Sequence, residues 1–367
     1  MAVLLGRHGT KKQRAMTIDQ AFWKDRRVFL TGHTGFKGGW LSMWLTKLGA
    51  KVFGYALEPP TNPCLFNEAR IAARFEASTF ADIRDLPRLT ESLRAAKPSV
   101  VIHLAAQPLV KKSYIDPVET FSSNVMGTVH LLEAVRNADS VEGVLVVTTD
   151  KCYENREWLW PYREDDRLGG HDPYSSSKAC AELVALSYRR SFMAACCTPV
   201  ATARAGNVIG GGDWAQYRIV PDFLRSSDRG EPLHVRSPDA IRPWQHVLEP
   251  LSGYLMLAEK LVKDGVNHAK AWNFGPNETD TKSVSTVVEM LRNRVPYSKW
   301  LIDPQGHSHE AGLLKLDSTN ARVLLNWSPR WSLETAIDKT VEWHKAWRNG
   351  VDMTPFSLDQ IMAYEST

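Results

Sequence analysis

Tyr174-Ser175-Ser176-Ser177-Lys178 sets a phenol and an ammonium four residues apart, on one face of any helix that carries them. A phenol titrates near about 10 and is a poor base at neutral pH. A lysine one turn away favours the phenolate and can hold a sugar hydroxyl besides. Thr149, closing an apolar run, supplies a hydroxyl for the same alcohol oxygen. These are the parts for taking a proton from an alcohol while a hydride leaves its carbon. A bare Tyr-x-x-x-Lys pair is equally at home on an exposed helix face, so its meaning rests on what precedes it.

What precedes it is Thr31-Gly32-His33-Thr34-Gly35-Phe36-Lys37-Gly38, a G-x-x-G-x-x-G pattern directly after the first apolar strand. Glycines there let the backbone turn sharply, and free N–H groups at the helix start can bind a pyrophosphate. A tight strand–helix turn is the alternative, and the position after strand one of a βαβ series favours the dinucleotide. The second strand ends Gly54-Tyr55-Ala56-Leu57-Glu58, with Ala56 where an NAD enzyme carries an acid for the ribose and Glu58 two residues late, so this strand leaves the choice between NAD and NADP open. Asp82, in Ala81-Asp82-Ile83, is placed either to meet the adenine edge or to cap the helix before Leu86.

The elements that must hold these residues are legible as alternating short β-branched runs and amphipathic stretches. Val28–Leu30, Lys51–Tyr55, Arg74–Phe80, Val100–Leu104, Val144–Val147 and Val200–Arg204 read as buried strands. Gly39–Leu48, Asp85–Ala96, Pro117–Ala138 and Pro173–Phe192 carry helical periodicity. The pattern predicts a doubly wound, Rossmann-type α/β fold with a parallel sheet covered on both faces, followed by a smaller mixed C-terminal lobe. Residues 1–15 read as an extension or added leader, 16–205 as the dinucleotide-binding domain, 206–350 mostly as the substrate lobe, with helices near 247–263, 283–294 and 332–348. Residues 351–367 read as a tail.

The bulk numbers limit the alternatives. The 367 residues are 43% hydrophobic and 23% charged, ordinary globular values. A net charge of +4, from 45 basic and 41 acidic residues without a basic block, offers nothing that tracks nucleic acid. No apolar run is long enough to cross a bilayer, so a membrane is not an expected partner. Five cysteines, an odd number without Cys-x-x-Cys spacing or a signal peptide, point to reduced thiols and the cytoplasm.

Together these residues resemble the extended short-chain dehydrogenase/reductase family, over about residues 17–347. The supporting strings are the glycine loop, Val101-Ile102-His103-Leu104-Ala105-Ala106-Gln107, Asn124-Val125-Met126-Gly127-Thr128, the tyrosine–lysine motif and Arg204-Ala205-Gly206-Asn207-Val208-Ile209-Gly210. Within the family the resemblance is nearest to the bacterial 4,6-dehydratase branch that takes CDP-glucose. It rests there on residues 31–40, on Thr149-Asp150-Lys151-Cys152-Tyr153-Glu154-Asn155 and on Ile241-Arg242-Pro243-Trp244-Gln245-His246-Val247. The resemblance implies a nucleotide sugar as substrate and bound NAD that oxidises C4. Water is then lost across C5 and C6, and hydride returns to C6, on the way to 3,6-dideoxyhexoses of surface polysaccharide. It implies cofactor contacts from Gly32, Gly35, Phe36, Lys37, Gly38, Asp82, Ile83, Leu104, Ala105, Ala106, Tyr174 and Lys178. It also implies a homodimer through helices near 117–138 and 173–192, or a homotetramer built from it.

An epimerase, a decarboxylase or a simple alcohol dehydrogenase needs only the tyrosine, lysine and threonine. The additional Asp150-Lys151 suits a second reaction, because a ketone at C4 acidifies the C5 proton and a protonated C6 hydroxyl can leave. Asp150 is then the acid and Lys151 the base, in place of the Asp-Glu of related dTDP-glucose enzymes; a polar turn after a strand is the alternative. The scheme needs Asp150 protonated and Lys151 partly neutral. It also needs the strand to end here, since adjacent residues of an extended strand point to opposite faces. A protein that senses NAD(P) without catalysis would not need the Tyr174–Lys178 pair.

Arg204, Arg218 and Arg242 fall in the segment expected to face the substrate, and guanidinium forks suit a diphosphate. The resemblance favours Arg242, then Arg218, with Asn207 as a further donor; surface salt bridges are the alternative. His307 and His309 lack companion ligands, and no metal is expected. His103 reads as a core histidine, and Trp327, Trp331, Trp343 and Trp347 as core. Cys152 has nothing beside it to make it a nucleophile.

Overall fold

The computed structural model describes residues 18–194, 197–303 and 312–367. Twelve strands occur among them: β1 Arg27–Thr31, β2 Lys51–Ala56, β3 Ala77–Phe80, β4 Val100–His103, β5 Gly143–Val147, β6 Val200–Ala205, β7 Asn207–Ile209, β8 Leu233–Val235, β9 Ile241–His246, β10 Ala271–Phe274, β11 Thr281–Ser283 and β12 Trp300–Ile302. The helices that matter to the site are α1 Phe36–Lys47, α2 Leu86–Ala96, α3 Gly127–Arg136, α4 Pro173–Tyr188, α5 Ile219–Arg229, α6 Leu248–Asp264, α7 Val284–Arg292, α8 Leu333–Arg348 and α9 Met353–Glu365.

Seven strands form one parallel sheet in the order β10-β6-β5-β4-β1-β2-β3. The turn from β1 outward to β3 and back through β4 makes the ends of β1 and β4 the switch point of the sheet, where doubly wound folds leave a crevice. Alternation along each strand explains why both faces are covered. Val28, Leu30, Val100, Ile102, Leu145 and Val147 face one core with α1, α6 and α9; Phe29, Val101, Val144 and Val146 face the other with α2, α3 and α4. The edge strand β3 starts at Ala77 rather than Arg74, because residues 71–74 form a 3₁₀ turn packed on the first core through Ile71.

A separate cluster joins α5, α7 and α8 with β8 and β9 in the smaller lobe. The chain does not stay there, because β10 and α6 return to the large sheet after residue 206. Residues 353–365, within the segment set apart as a tail, form the helix α9. Its Tyr364 and Ile361 are fully buried, and Glu365 accepts from Trp44 Nε1 at 2.8 Å and Lys47 Nζ at 2.6 Å. Trp327, Trp331 and Trp343 are buried as core residues, and Trp347 packs against the same core. The expectations for residues 1–15 and for His307 and His309 lie outside the described residues. No helix among the described residues is long and apolar enough to cross a membrane.

Candidate active site

The glycine loop divides its labour. Gly32 has φ +74°, and a Cβ there would sit 2.7 Å from Ala105 N; a Cβ on Gly38 would sit 2.1 Å from Gly32 O. Backbone packing alone therefore requires both. Gly35 differs: its φ is −78°, and a Cβ would meet only Gly32 O, at the ordinary distance of 3.4 Å. It stands at the N-cap of α1 without a side-chain cap, so the first-turn amides are left facing the crevice, where an anion can accept from them. Thr31 Oγ1 accepts from Leu104 N and Ala105 N, both at 3.2 Å, and bonds His103 Nδ1 at 2.7 Å. This knot draws the end of β4 against the loop and puts Leu104, Ala105 and Ala106 beside it. His103 is buried, and desolvation pushes it down to about 3, so it is a neutral core histidine.

Asp82 and Ile83 lie beyond β3 on the same side. Asp82 does not cap α2, a place taken by Asp85, whose carboxylate accepts from Arg88 N at 3.0 Å. Its own carboxylate accepts from Arg84 N and Nε, both at 2.9 Å, and the Arg84 hydrogen bonds hold it below the usual carboxylate range. Ile83 is buried against Gly127, where a Cβ would meet it at 2.7 Å.

Thr149 and its successors follow β5, which ends at Val147. Thr149 is extended, with φ −154° and ψ 158°, and Asp150–Cys152 then form a single 3₁₀ turn. The strand ends before the pair, so Asp150 and Lys151 escape the alternation of a strand: Asp150 turns inward and is buried, while Lys151 is half-buried. Thr149 Oγ1 donates to Asp150 Oδ1 at 3.0 Å and lies beside the Tyr174 phenol, whose pKa it lowers. Asp150 Oδ2 is buried without a partner.

Tyr174 and Lys178 come from the first turns of α4, whose start is set locally. Asp172 caps it, accepting from Ser175 N at 2.9 Å, and Pro173 occupies the first turn. Asn124 braces this turn, donating to Ser177 Oγ at 2.8 Å while accepting from Gln107 N at 2.8 Å. Lys178 Nζ donates to Val147 O at 3.2 Å, which ties the lysine to the end of β5. Burial pushes Lys178 down to about 8 and Tyr174 up to about 12, the latter against the Thr149 hydroxyl. Among the chain's own residues burial favours the protonated phenol, and the positive charge of a nicotinamide held beside it would favour the phenolate.

Lys37, grouped with the loop in the sequence, reaches past it into this centre. Burial and the charges of Arg218 and Lys178 push it down to about 8, while Asp150 opposes them, and its ammonium lies 6.0 Å above the Tyr254 ring. Tyr254 had no signal in the sequence, where a tyrosine in the apolar α6 looks like core. Its hydroxyl is buried without a partner, and Asp150 and Tyr174 add to the burial that raises it.

The arginines separate. Arg218 precedes α5, is part-exposed, and donates to Asp213 Oδ2 at 2.8 Å; burial opposes its charge, and Asp213 and Tyr174 outweigh that and raise its pKa. Asp213, at a Gly-Gly-Asp turn and not singled out in the sequence, fixes the Arg218 guanidinium. Arg242 is buried on β9 and donates to Ile241 O at 2.9 Å, and Asn207 opens β7 beside it, opposite Trp244. Arg204 corrects the expectation that it faces a substrate. It is buried in a two-pronged ion pair with Glu182, both contacts at 2.9 Å, and donates to Tyr153 Oη at 2.8 Å. The physical reason is β6 alternation, which points it at α4 instead of the crevice. Cys152 is fully buried and its thiol is pushed up by burial, so it is inert.

Residues 29–340 match the model of the GDP-mannose 4,6-dehydratase family. The chain belongs to that family. Members of this group of dehydratases and epimerases are its relatives by sequence and by structure. It is 50% identical over 359 residues to the CDP-glucose 4,6-dehydratase of Salmonella typhimurium, covering 95% of this chain and 99% of that one. It is 26% identical over 299 residues to dTDP-glucose 4,6-dehydratase 1 of Escherichia coli, covering 74% and 79%. The fold matches the dTDP-glucose 4,6-dehydratase of Streptomyces venezuelae, solved with NAD bound, at a TM-score of 0.75 and 22% identity over 89% of this chain and 99% of that chain.

Proposed function

We propose that this family member converts CDP-glucose to CDP-4-keto-6-deoxyglucose and water, with NAD held between the glycine loop and α4. One observation carries the reading: beside the alcohol-oxidising trio of Thr149, Tyr174 and Lys178 lies a buried carboxyl, Asp150, with one oxygen engaged by Thr149 and the other unpartnered. An epimerase has no use for that acid. A dehydratase must protonate a leaving hydroxyl. The 50% identity, over 95% of the chain, to the Salmonella CDP-glucose enzyme supports the nucleotide.

The residues present fit the dinucleotide. Gly35 keeps the start of α1 clear for a pyrophosphate, with Gly32, Phe36, Lys37 and Gly38 around it, Leu104 to Ala106 along it, and Asp82 and Ile83 at the adenine end. The dinucleotide would supply a hydride acceptor for C4 and, once reduced, the hydride donor for C6. Tyr174 removes the C4 hydroxyl proton and Lys178 holds the nicotinamide ribose. Asp150 protonates the C6 oxygen and Lys151 takes the C5 proton. Arg218, Arg242 and Asn207 bind the diphosphate. A second copy covers Val118, Phe121, Met126 and Leu183, apolar residues left exposed on the helical face of 117–136 and 173–188, and the enzyme works in the cytoplasm. Its product feeds 3,6-dideoxyhexose synthesis for surface polysaccharide.

Incubation with CDP-glucose, dTDP-glucose, UDP-glucose and GDP-mannose in parallel tests the reading. The 4-keto-6-deoxy sugar forms fastest from CDP-glucose. Equal turnover of another nucleotide sugar would overturn the choice of base, and C4 inversion without loss of water would overturn the dehydratase itself.

A further inference from the structure

Dehydration needs a proton in one place and releases one in another. Tyr174 gains a proton when C4 is oxidised, and Asp150 must hold one to expel the C6 hydroxyl. Both are buried, Tyr174 to 8% exposure and Asp150 to 2%. Between them stands one hydroxyl. Thr149 Oγ1 donates to Asp150 Oδ1 at 3.0 Å and lies beside the Tyr174 phenol, whose pKa it lowers. A hydroxyl can accept on one side while it donates on the other, without ever carrying charge. Lys178, one turn from Tyr174, aims its ammonium at Val147 O instead.

We propose that Thr149 passes to Asp150 the proton that Tyr174 removes from the C4 hydroxyl, so that this proton leaves in the water formed at C6. The inference rests on the dehydratase reading above.

The step balances. As hydride leaves C4 for NAD, the Tyr174 phenolate takes the C4 hydroxyl proton. The Tyr174 O–H bond then breaks as a new O–H forms on Thr149, whose own proton moves to Asp150 Oδ1. A half-turn of the carboxyl about Cβ–Cγ presents that proton on the side of the unpartnered Oδ2. The base removes the C5 proton, the C6–O bond breaks, and the Asp150 proton departs with the oxygen as water. Hydride returns to C6, and the base, whose N–H protons exchange with solvent, delivers one proton back to C5. Tyr174 and Asp150 finish in the protonation states in which they began, and solvent supplies no net proton. The transfer runs uphill on the chain's own electrostatics, because burial raises Tyr174 to about 12, and the loss of water draws it forward.

Rapid mixing of NAD-loaded enzyme with CDP-glucose, followed by the absorbance of reduced nicotinamide, tests this with Thr149→Val and Thr149→Ser. In the valine variant reduced nicotinamide still appears but then persists, its decay slowed by a factor of about 10² or more, the usual cost of losing a proton-transfer group. Acidification speeds that decay, because solvent can then load Asp150, and serine restores the normal decay. Thr149→Ala, which asks for less space, serves if the valine variant does not hold its cofactor, with the same outcome expected. Slower appearance with unchanged decay would overturn the relay and leave Thr149 as an aid to Tyr174 alone. A wild-type enzyme that makes no 4-keto-6-deoxy sugar overturns the dehydratase reading, and the relay falls with it.

Discussion

Two buried polar clusters lie side by side at the ends of β5 and β6 and follow opposite rules. In the first, Glu182 accepts from Thr148 at 2.5 Å, Thr202 at 2.7 Å and both prongs of Arg204, which also meets Tyr153 and Glu164 O. Burial works against the Glu182 charge, and Arg204 outweighs it and lowers its pKa. In the second, one residue further along the chain beyond β5, Thr149, Asp150, Tyr174, Lys37 and Tyr254 converge, yet Asp150 Oδ2 and the Tyr254 hydroxyl are unpartnered. A closed network stabilises the fold, and an open one is costly unless a ligand completes it. Partner accounting, rather than charge or burial, separates the structural arginine from the aspartate proposed as the acid.

The largest effect expected lies in the open cluster. Tyr174→Phe slows turnover by a factor of about 10² to 10⁴ and leaves the unfolding midpoint in place. No bound NADH appears on adding sugar, as absorbance in single-turnover mixing will show. Near-normal turnover would remove Tyr174 from the mechanism.

Glu182→Ala tests the closed cluster. It strands the Arg204 guanidinium without its partner and costs about 3–5 kcal/mol, measured by denaturant unfolding. Asp150→Asn, in the same measurement, costs little and abolishes dehydration. Similar stability losses in the two variants would erase the distinction between the clusters.

Lys151→Met sharpens the assignment of the two protons. Bound NADH still forms in heavy water, while deuterium enters C5 slower by a factor of about 10². Exchange at the wild-type rate would assign the C5 proton to another group.

The smallest effect is graded with pH. Lys178 titrates at about 8 in the folded chain because burial disfavours its charge, against 10.5 as the ordinary value. Turnover therefore falls about tenfold per pH unit above that point as the ammonium is lost. Stability moves the other way: between about 8 and 10.5 the unfolded chain holds the proton that the folded chain has shed, so this group adds stability as pH rises. A Lys178→Met variant flattens both slopes. If the decline in turnover survives that change, it belongs to a different group.

What the sequence determined by itself was everything governed by short-range periodicity. Apolar runs at period two and helical stretches at 3.6 placed the six sheet strands up to Val200–Ala205 and the helices between them, because buried parallel strands and their crossover helices can satisfy themselves in few other ways. Tyr174 and Lys178 share a face for the same local reason, and glycines at 32, 35 and 38 announced the loop. Tertiary structure alone decided matters of direction and distance. Arg204 and Arg218 look alike in the sequence, but β6 aims one at Glu182, whereas the turn before α5 sets the other by Asp213. Residues 353–365, read as a tail, are a helix because Tyr364 finds Glu249 at 2.6 Å, a partner 115 residues away. Thr149 meets Tyr174 only because α4 crosses the end of β5. Local composition says which side chains can do chemistry, whereas packing from distant segments decides which of them are left with an atom unpartnered.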